Sequence, residues 1–123
     1  MRKYLLHVLI ISFVFLLAPA IQVASYADEK RLEDAKEEVR KNPDDAKAHY
    51  DLGNAYCKSG KHEEAIKSYQ QAIRIDPDHA LTHYYLGTSY LLLNDRGSAM
   101  EQYKILKKLD TEMANHLFSA IYE

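Results

Sequence analysis

Apolar residues follow two different patterns along this chain. Residues 4–21 (YLLHVLIISFVFLLAPAI) form one continuous run, free of charge if His7 is neutral, directly after Arg2 and Lys3. From residue 46 onward the spacing changes to threes and fours. His49, Leu52, Gly53 and Tyr56 form one set, and Ala65, Ile66, Tyr69, Ala72 and Ile73 form the next. A helix turns by about 100° per residue, so each set falls on one face. Between them stands Ser59-Gly60, and glycine accepts a left-handed helix end cheaply. Asp76-Pro77-Asp78 closes the second stretch, because the residue before a proline resists helical geometry. The pattern predicts a helix–turn–helix over 46–79.

The same pattern then returns. HYDLGNAY begins at His49 and HYYLGTSY at His83, a shift of 34 residues that also pairs Ala46 with Ala80, Ala65 with Ala99 and Tyr69 with Tyr103. Asp76 pairs with Asp110, Ile66 with Met100 and Ala72 with Leu106, while Asn94-Asp95 replaces Ser59-Gly60. Gly53 and Gly87 fall inside helices, where glycine costs about 1 kcal/mol relative to alanine. A cost repeated at one position predicts a bulky neighbour, with Tyr56, Tyr69, Tyr90 and Tyr103 as candidate rings and Ala65 and Ala99 as the matching shallow surfaces. One helix pair cannot bury both of its faces, so the units must stack.

The register extends to both flanks. Asn42-Pro43-Asp44 aligns with Asp76-Pro77-Asp78, so LEDAKEEVRK reads as the second helix of an incomplete unit, burying Leu32, Ala35 and Val39. EMANHLFSAIYE reads as a last helix with Met113, Leu117, Ala120 and Ile121 inward.

Leu52, Gly53 and Tyr56, followed by Gly60, Ala65, Tyr69, Ala72 and Pro77, resemble the tetratricopeptide repeat. Leu86, Gly87, Tyr90, Ala99 and Tyr103 repeat the motif, with departures at Asn94 and Thr111, where the family usually has Gly and Pro. His49 and His83 stand where it commonly has Trp. The resemblance implies an all-α fold, a short right-handed α-solenoid of antiparallel helix pairs. Its parts would be a capping half-repeat helix at 28–45, repeats at 46–79 and 80–113, and a C-terminal capping helix at 114–123.

It also implies a concave groove that receives a protein or peptide partner. Carried over by position, that face holds Tyr50, Asn54 and Lys58, then Leu81, Tyr84, Tyr85, Thr88 and Leu91, and finally Phe118. Tyr50, Tyr84, Leu91 and Phe118 are not required by the inter-helix pattern, which makes them candidate anchors. The alternative is that the C-terminal helix folds into the groove and covers them. Some family members clamp a partner's C-terminal carboxylates with Lys, Asn and Arg. The corresponding residues here are Tyr50, Asn54, Tyr85, Asn115 and Ser119, of which only Asn54 agrees, so the groove should favour apolar or aromatic contacts.

The first residues add a destination. A basic start, an apolar run and then small residues are the pattern of a secretory signal peptide, assigned to 1–27. Ser25-Tyr26-Ala27 places small residues before a cut at Asp28, and Ala18-Pro19-Ala20 and Val23-Ala24-Ser25 are other cleavage contexts. The alternative is an uncleaved anchor at 5–24, since about 20 apolar residues span a bilayer; Pro19 and Gln22 weaken it. Without Arg2 and Lys3, the 96 residues beyond Ala27 keep 14 basic against 18 acidic side chains, a formal charge of −4. Such a module offers nucleic acid no electrostatic footprint.

Candidate chemistry is sparse. Cys57 is the only cysteine, so the chain forms no internal disulfide. No nucleophile has a base placed beside it, and no phosphate-cradling glycine loop occurs. A metal or redox protein using His49, His79, His83 and Cys57 is a reading of another class. It is disfavoured because His79 falls in the turn before a helix and no carboxylate completes a ligand set. We therefore assign no catalytic residue, metal or cofactor. The expected function is a non-enzymatic, exported interaction module, periplasmic or extracellular, serving as an adaptor or assembly factor; the alternative is a membrane-anchored subunit of an envelope complex.

Overall fold

The computed structural model describes residues 2–123; residue 1 and the side chains of 15–18, which belong to the export segment and one of its cleavage contexts, lie outside the described residues. Six helices follow one another: α1 (Arg2–Lys41), α2 (Ala46–Lys58), α3 (His62–Ile75), α4 (Ala80–Leu92), α5 (Arg96–Leu109) and α6 (Thr111–Tyr122). Short turns fold successive helices back on one another, and no strand occurs among the described residues.

The turns form for the reasons their residues dictate. Gly60 and Asn94 take the left-handed conformation, at φ 71° and 61°, and so end α2 and α4. At helix starts, Asp45 accepts from the Lys47 amide at 2.9 Å, Asp95 from that of Ser98 at 3.0 Å and Asp110 from that of Met113 at 2.9 Å. The repeated histidines tie helix to turn. His49 Nε2 donates to the Pro43 carbonyl at 2.8 Å, and His83 Nε2 to that of Pro77 at 2.7 Å. His83, only 3% exposed, also meets Gln102 Oε1 through Nδ1 at 2.8 Å. A neutral ring satisfies both contacts if the Gln102 amide is turned so that its NH2 donates.

Packing runs from neighbour to neighbour, as in a solenoid. Leu32 of α1 packs with Leu52 and Ala55 of α2, flanked by Ala35 and Val39. Ala65, Ile66 and Tyr69 of α3 pack with Leu86 of α4. Ala99 and Leu106 of α5 pack with Ala114, Leu117 and Ile121 of α6.

Three expectations need correction in the last unit. Helix α6 begins at Thr111 rather than 114, because Thr111 stands where Pro77 delays α4, and the chain re-enters a helix directly after Asp110. Ala120 is exposed, and Ala114 takes its place in the buried stripe with Leu117 and Ile121. The Gly87 slot is filled by Leu117 of α6, 2.6 Å from where a Cβ would stand, rather than by Tyr103. Tyr103 instead packs on Phe118, with ring centres 5.1 Å apart. At Gly53 the neighbour is the ring of Tyr69, one of the four candidate rings.

Helix α1 continues without a break through Ala27 and Asp28. Its C-terminal part docks on α2 through Leu32. Its N-terminal part contains an 18-residue window of mean hydropathy 2.4 with none of it buried, and it is long and apolar enough to cross a membrane.

Candidate partner-binding face

Among the residues that the repeat register assigned to α2 and α4, a cluster of aromatic rings forms. Tyr50 lies 6.1 Å from Tyr69 and 6.1 Å from Tyr85, centre to centre. Tyr85 stacks on Tyr69 at 6.4 Å and meets Tyr84 edge-on at 5.6 Å. Tyr69 anchors the cluster. It is fully buried, and its Oη donates to Asn54 Oδ1 at 2.7 Å. Cys57 Sγ is 3.6 Å from the same phenol oxygen and 3.4 Å from Ser89 Oγ, so the lone thiol is part of this packing. Burial raises the phenols of both Tyr69 and Tyr50, which keeps them neutral donors at ordinary pH.

Beside Tyr50 opens a cavity of about 270 Å³, lined by Ala46, Lys47, Ala72, Asp76, His79, Leu81 and Thr82. His79 closes one wall, edge-on to Tyr50 at 5.4 Å, and its Nδ1 meets Thr82 Oγ1 at 2.6 Å. Lys47 on the rim pairs with Asp51 one turn on, which raises its ammonium pKa. The repeat alignment placed Leu81 on this face but missed Asp76, His79 and Thr82. Their signal was their place at the junction of the two repeats, where the turn into α4 passes Tyr50.

The structure thus gathers Tyr50, Asn54, Tyr84 and Tyr85 around Tyr69, with Leu81 at the neighbouring cavity. Thr88 spends its hydroxyl on the Tyr85 carbonyl, at 2.9 Å. Lys58 sits apart, in a cleft against α1 with Ile21, Ala24 and Leu32. Tyr84 and Leu91 are half-buried against the α5–α6 core, and Tyr50 packs against that of α3 and α4, so these three are structural as well as accessible. Tyr85 and Phe118 remain open, at 37% and 41% exposure. The histidines of the metal reading are engaged elsewhere: His79 precedes α4, and His49 and His83 bond to prolyl carbonyls. Among the described residues no three or more His, Cys, Asp or Glu side chains come together as a metal-ligand set.

Comparison with known proteins agrees with this architecture. Residues 53–94 match a family described as TPR repeat, and residues 35–67 one described as Tetratricopeptide repeat. No curated protein matches the sequence. Among solved structures, the second TPR domain of human RPAP3, in complex with an HSP70 peptide, aligns at a TM-score of 0.72 and 23% identity, over 78% of this chain and 82% of that one. MamA from Desulfovibrio magneticus RS-1 aligns at 0.66 and 27%, over 77% of this chain and 52% of that one. A thermophilic TPR protein of Thermus thermophilus aligns at 0.68 and 27%, over 78% and 50%, so this chain spans about half the length of the last two. The chain is a tetratricopeptide-repeat protein.

Proposed function

We propose that this protein is an exported adaptor or assembly factor that captures an apolar or aromatic segment of a partner protein between α2 and α4. The observation that carries the reading is the Tyr50–Tyr69–Tyr85 cluster beside an open cavity. Tyrosine supplies a large contact area for little ordering entropy, and here Tyr69 holds the neighbouring rings in place before any ligand arrives. Support for a peptide ligand also comes from the likeness to TPR domains solved with HSP70 and HSP90 peptides. Of the residues that clamp carboxylates in the family, this chain keeps Asn54 alone, whose Oδ1 accepts from the Tyr69 phenol. The chemistry of the groove therefore favours side-chain burial over carboxylate capture.

Export is part of the same proposal, with Arg2 and Lys3 held on the cytoplasmic side. A second reading, in which residues 5–24 stay as an anchor, is favoured by the unbroken helix that joins the apolar run to the docked Leu32. A photo-crosslinking residue at position 85, compared with one at Ile105 on the outer helix α5, tests the groove in the native envelope. Position 85 should give an adduct that position 105 does not. Identical adducts from both positions would remove the groove assignment.

A further inference from the structure

Because the helices alternate in direction, the turns after α2 and α4 lie at one end of the solenoid, and those before α2, α4 and α6 at the other. The two ends differ in chemistry. The first presents Lys58-Ser59-Gly60-Lys61 and, one repeat later, Leu92-Leu93-Asn94-Asp95-Arg96. Leu92 is 64% exposed and Leu93 39%. Tyr122, 65% exposed, closes α6 at this end too. The turns of the opposite end carry Asp44, Asp45, Asp76, Asp78 and Asp110, with Arg40, Lys41, Arg74, Lys107 and Lys108 in the adjoining last helical turns, so it is rich in charge of both signs and lacks the exposed leucine pair of the first end.

Helix α1 relates the first end to the apolar run. Lys58, Ser59 and Lys61 share a cleft with Ile21, Ala24, Ser25, Asp28 and Glu29 of α1. The α2–α3 turn therefore stands beside the last turns of the run, while the rest of it projects past the domain. Tyr4 and Tyr26 bracket that run about 33 Å apart along the helix, close to the separation of the two aromatic belts of a bilayer.

We propose that, with residues 5–24 embedded, this end of the solenoid rests on the bilayer surface. Leu92 and Leu93 enter the boundary between headgroups and acyl chains, and Lys58, Lys61 and Arg96 face lipid phosphates. Asp95, Glu63 and Glu64 in the first turn of α3, and Asp28 and Glu29 of the cleft offset these basic side chains, so the contact is led by the exposed leucines, with the long Lys and Arg side chains able to extend to the phosphates. The aspartate-bearing end and the Tyr50 cavity then point away from the membrane, toward an approaching partner. This inference rests on the retained-anchor reading.

The chain has no tryptophan, so Leu92→Trp introduces a single reporter. Ile75→Trp, at the end of α3 and the opposite end of the solenoid, is the control. Each full-length variant is reconstituted into phosphatidylcholine–phosphatidylglycerol vesicles carrying nitroxide-labelled acyl chains. Burial by roughly 5–10 Å predicts a blue-shifted emission and about a twofold loss of intensity at position 92, with neither at position 75. Chains that float with the vesicles but show no quenching at 92 overturn the surface contact and leave the anchor intact. Chains that do not float overturn both.

Discussion

The two helical glycines stand one repeat apart, yet the same substitution should affect them differently. In Gly53→Ala the new Cβ would lie 2.6 Å from Tyr69 Cδ1 and 2.9 Å from Cζ, well inside contact distance. Tyr69 cannot swing aside easily: it is fully buried, bonded to Asn54 and stacked on Tyr85. Alanine's helix propensity returns about 1 kcal/mol. Against it stand overpacking of about 1–3 kcal/mol and the strained phenol hydrogen bond, about 1 kcal/mol. The net loss is about 1–3 kcal/mol. At Gly87 the obstacles are the two methyls of Leu117, Cδ2 at 2.6 Å and Cδ1 at 3.1 Å. Leu117 is also buried, but these are the ends of a flexible side chain with no hydrogen bond to hold it, so a small rotation relieves the contact at lower cost. There the propensity gain offsets most of the cost, leaving Gly87→Ala within about 1 kcal/mol of the parent. Thermal melts by circular dichroism resolve the difference, since 1 kcal/mol shifts Tm by about 4–8 °C in a domain of this size. Tyr69→Leu should relieve the penalty of Gly53→Ala in the double variant. A Gly53→Ala protein that melts at or above the parent would refute the reasoning.

Other outcomes follow from the same packing. Burial raises the Tyr69 phenol above its unfolded value, so its contribution is intact below about pH 10 and lost as the pH rises further, at up to about 1.4 kcal/mol per pH unit. Urea melts across that alkaline range should show a shallower decline for Tyr69→Phe. Asp110→Ala removes the cap of α6 and should cost about 1 kcal/mol, read in the same melts. Tyr84→Ala should lower Tm because the ring packs on the α6 core, whereas Tyr85→Ala, which removes a more exposed ring stacked on Tyr69, should lower it less.

The fold was legible because its cues lie inside one 34-residue unit. Gly60, Asn94 and Pro77 each act within a unit, so the alignment located them, and it narrowed the neighbour of Gly53 to a few rings that include Tyr69. The last unit was read less well because its surroundings change. Helix α6 packs across both α5 and α4, so Leu117 settles against Gly87 and Ala120 is left in solvent. That choice depends on packing in three dimensions, which a repeat register does not contain. For the same reason Tyr84 and Leu91, which the pattern left spare, became half-buried under α6. The cavity beside Tyr50 was not legible, since His79 and Asp76 enter it from a turn that the alignment treats as punctuation.

The central claim is that binding energy resides in the aromatic face of α2 and α4. The direct measurement is a calorimetric titration of the segment captured at position 85 into the full chain, the Tyr85→Ala variant and the Lys67→Glu variant on the outer face. The account predicts that Tyr85→Ala weakens binding by about tenfold or more, as befits an anchor worth about 1–2 kcal/mol, while Lys67→Glu leaves the affinity unchanged. Equal affinities for all three proteins, or a larger loss from Lys67→Glu than from Tyr85→Ala, would contradict it.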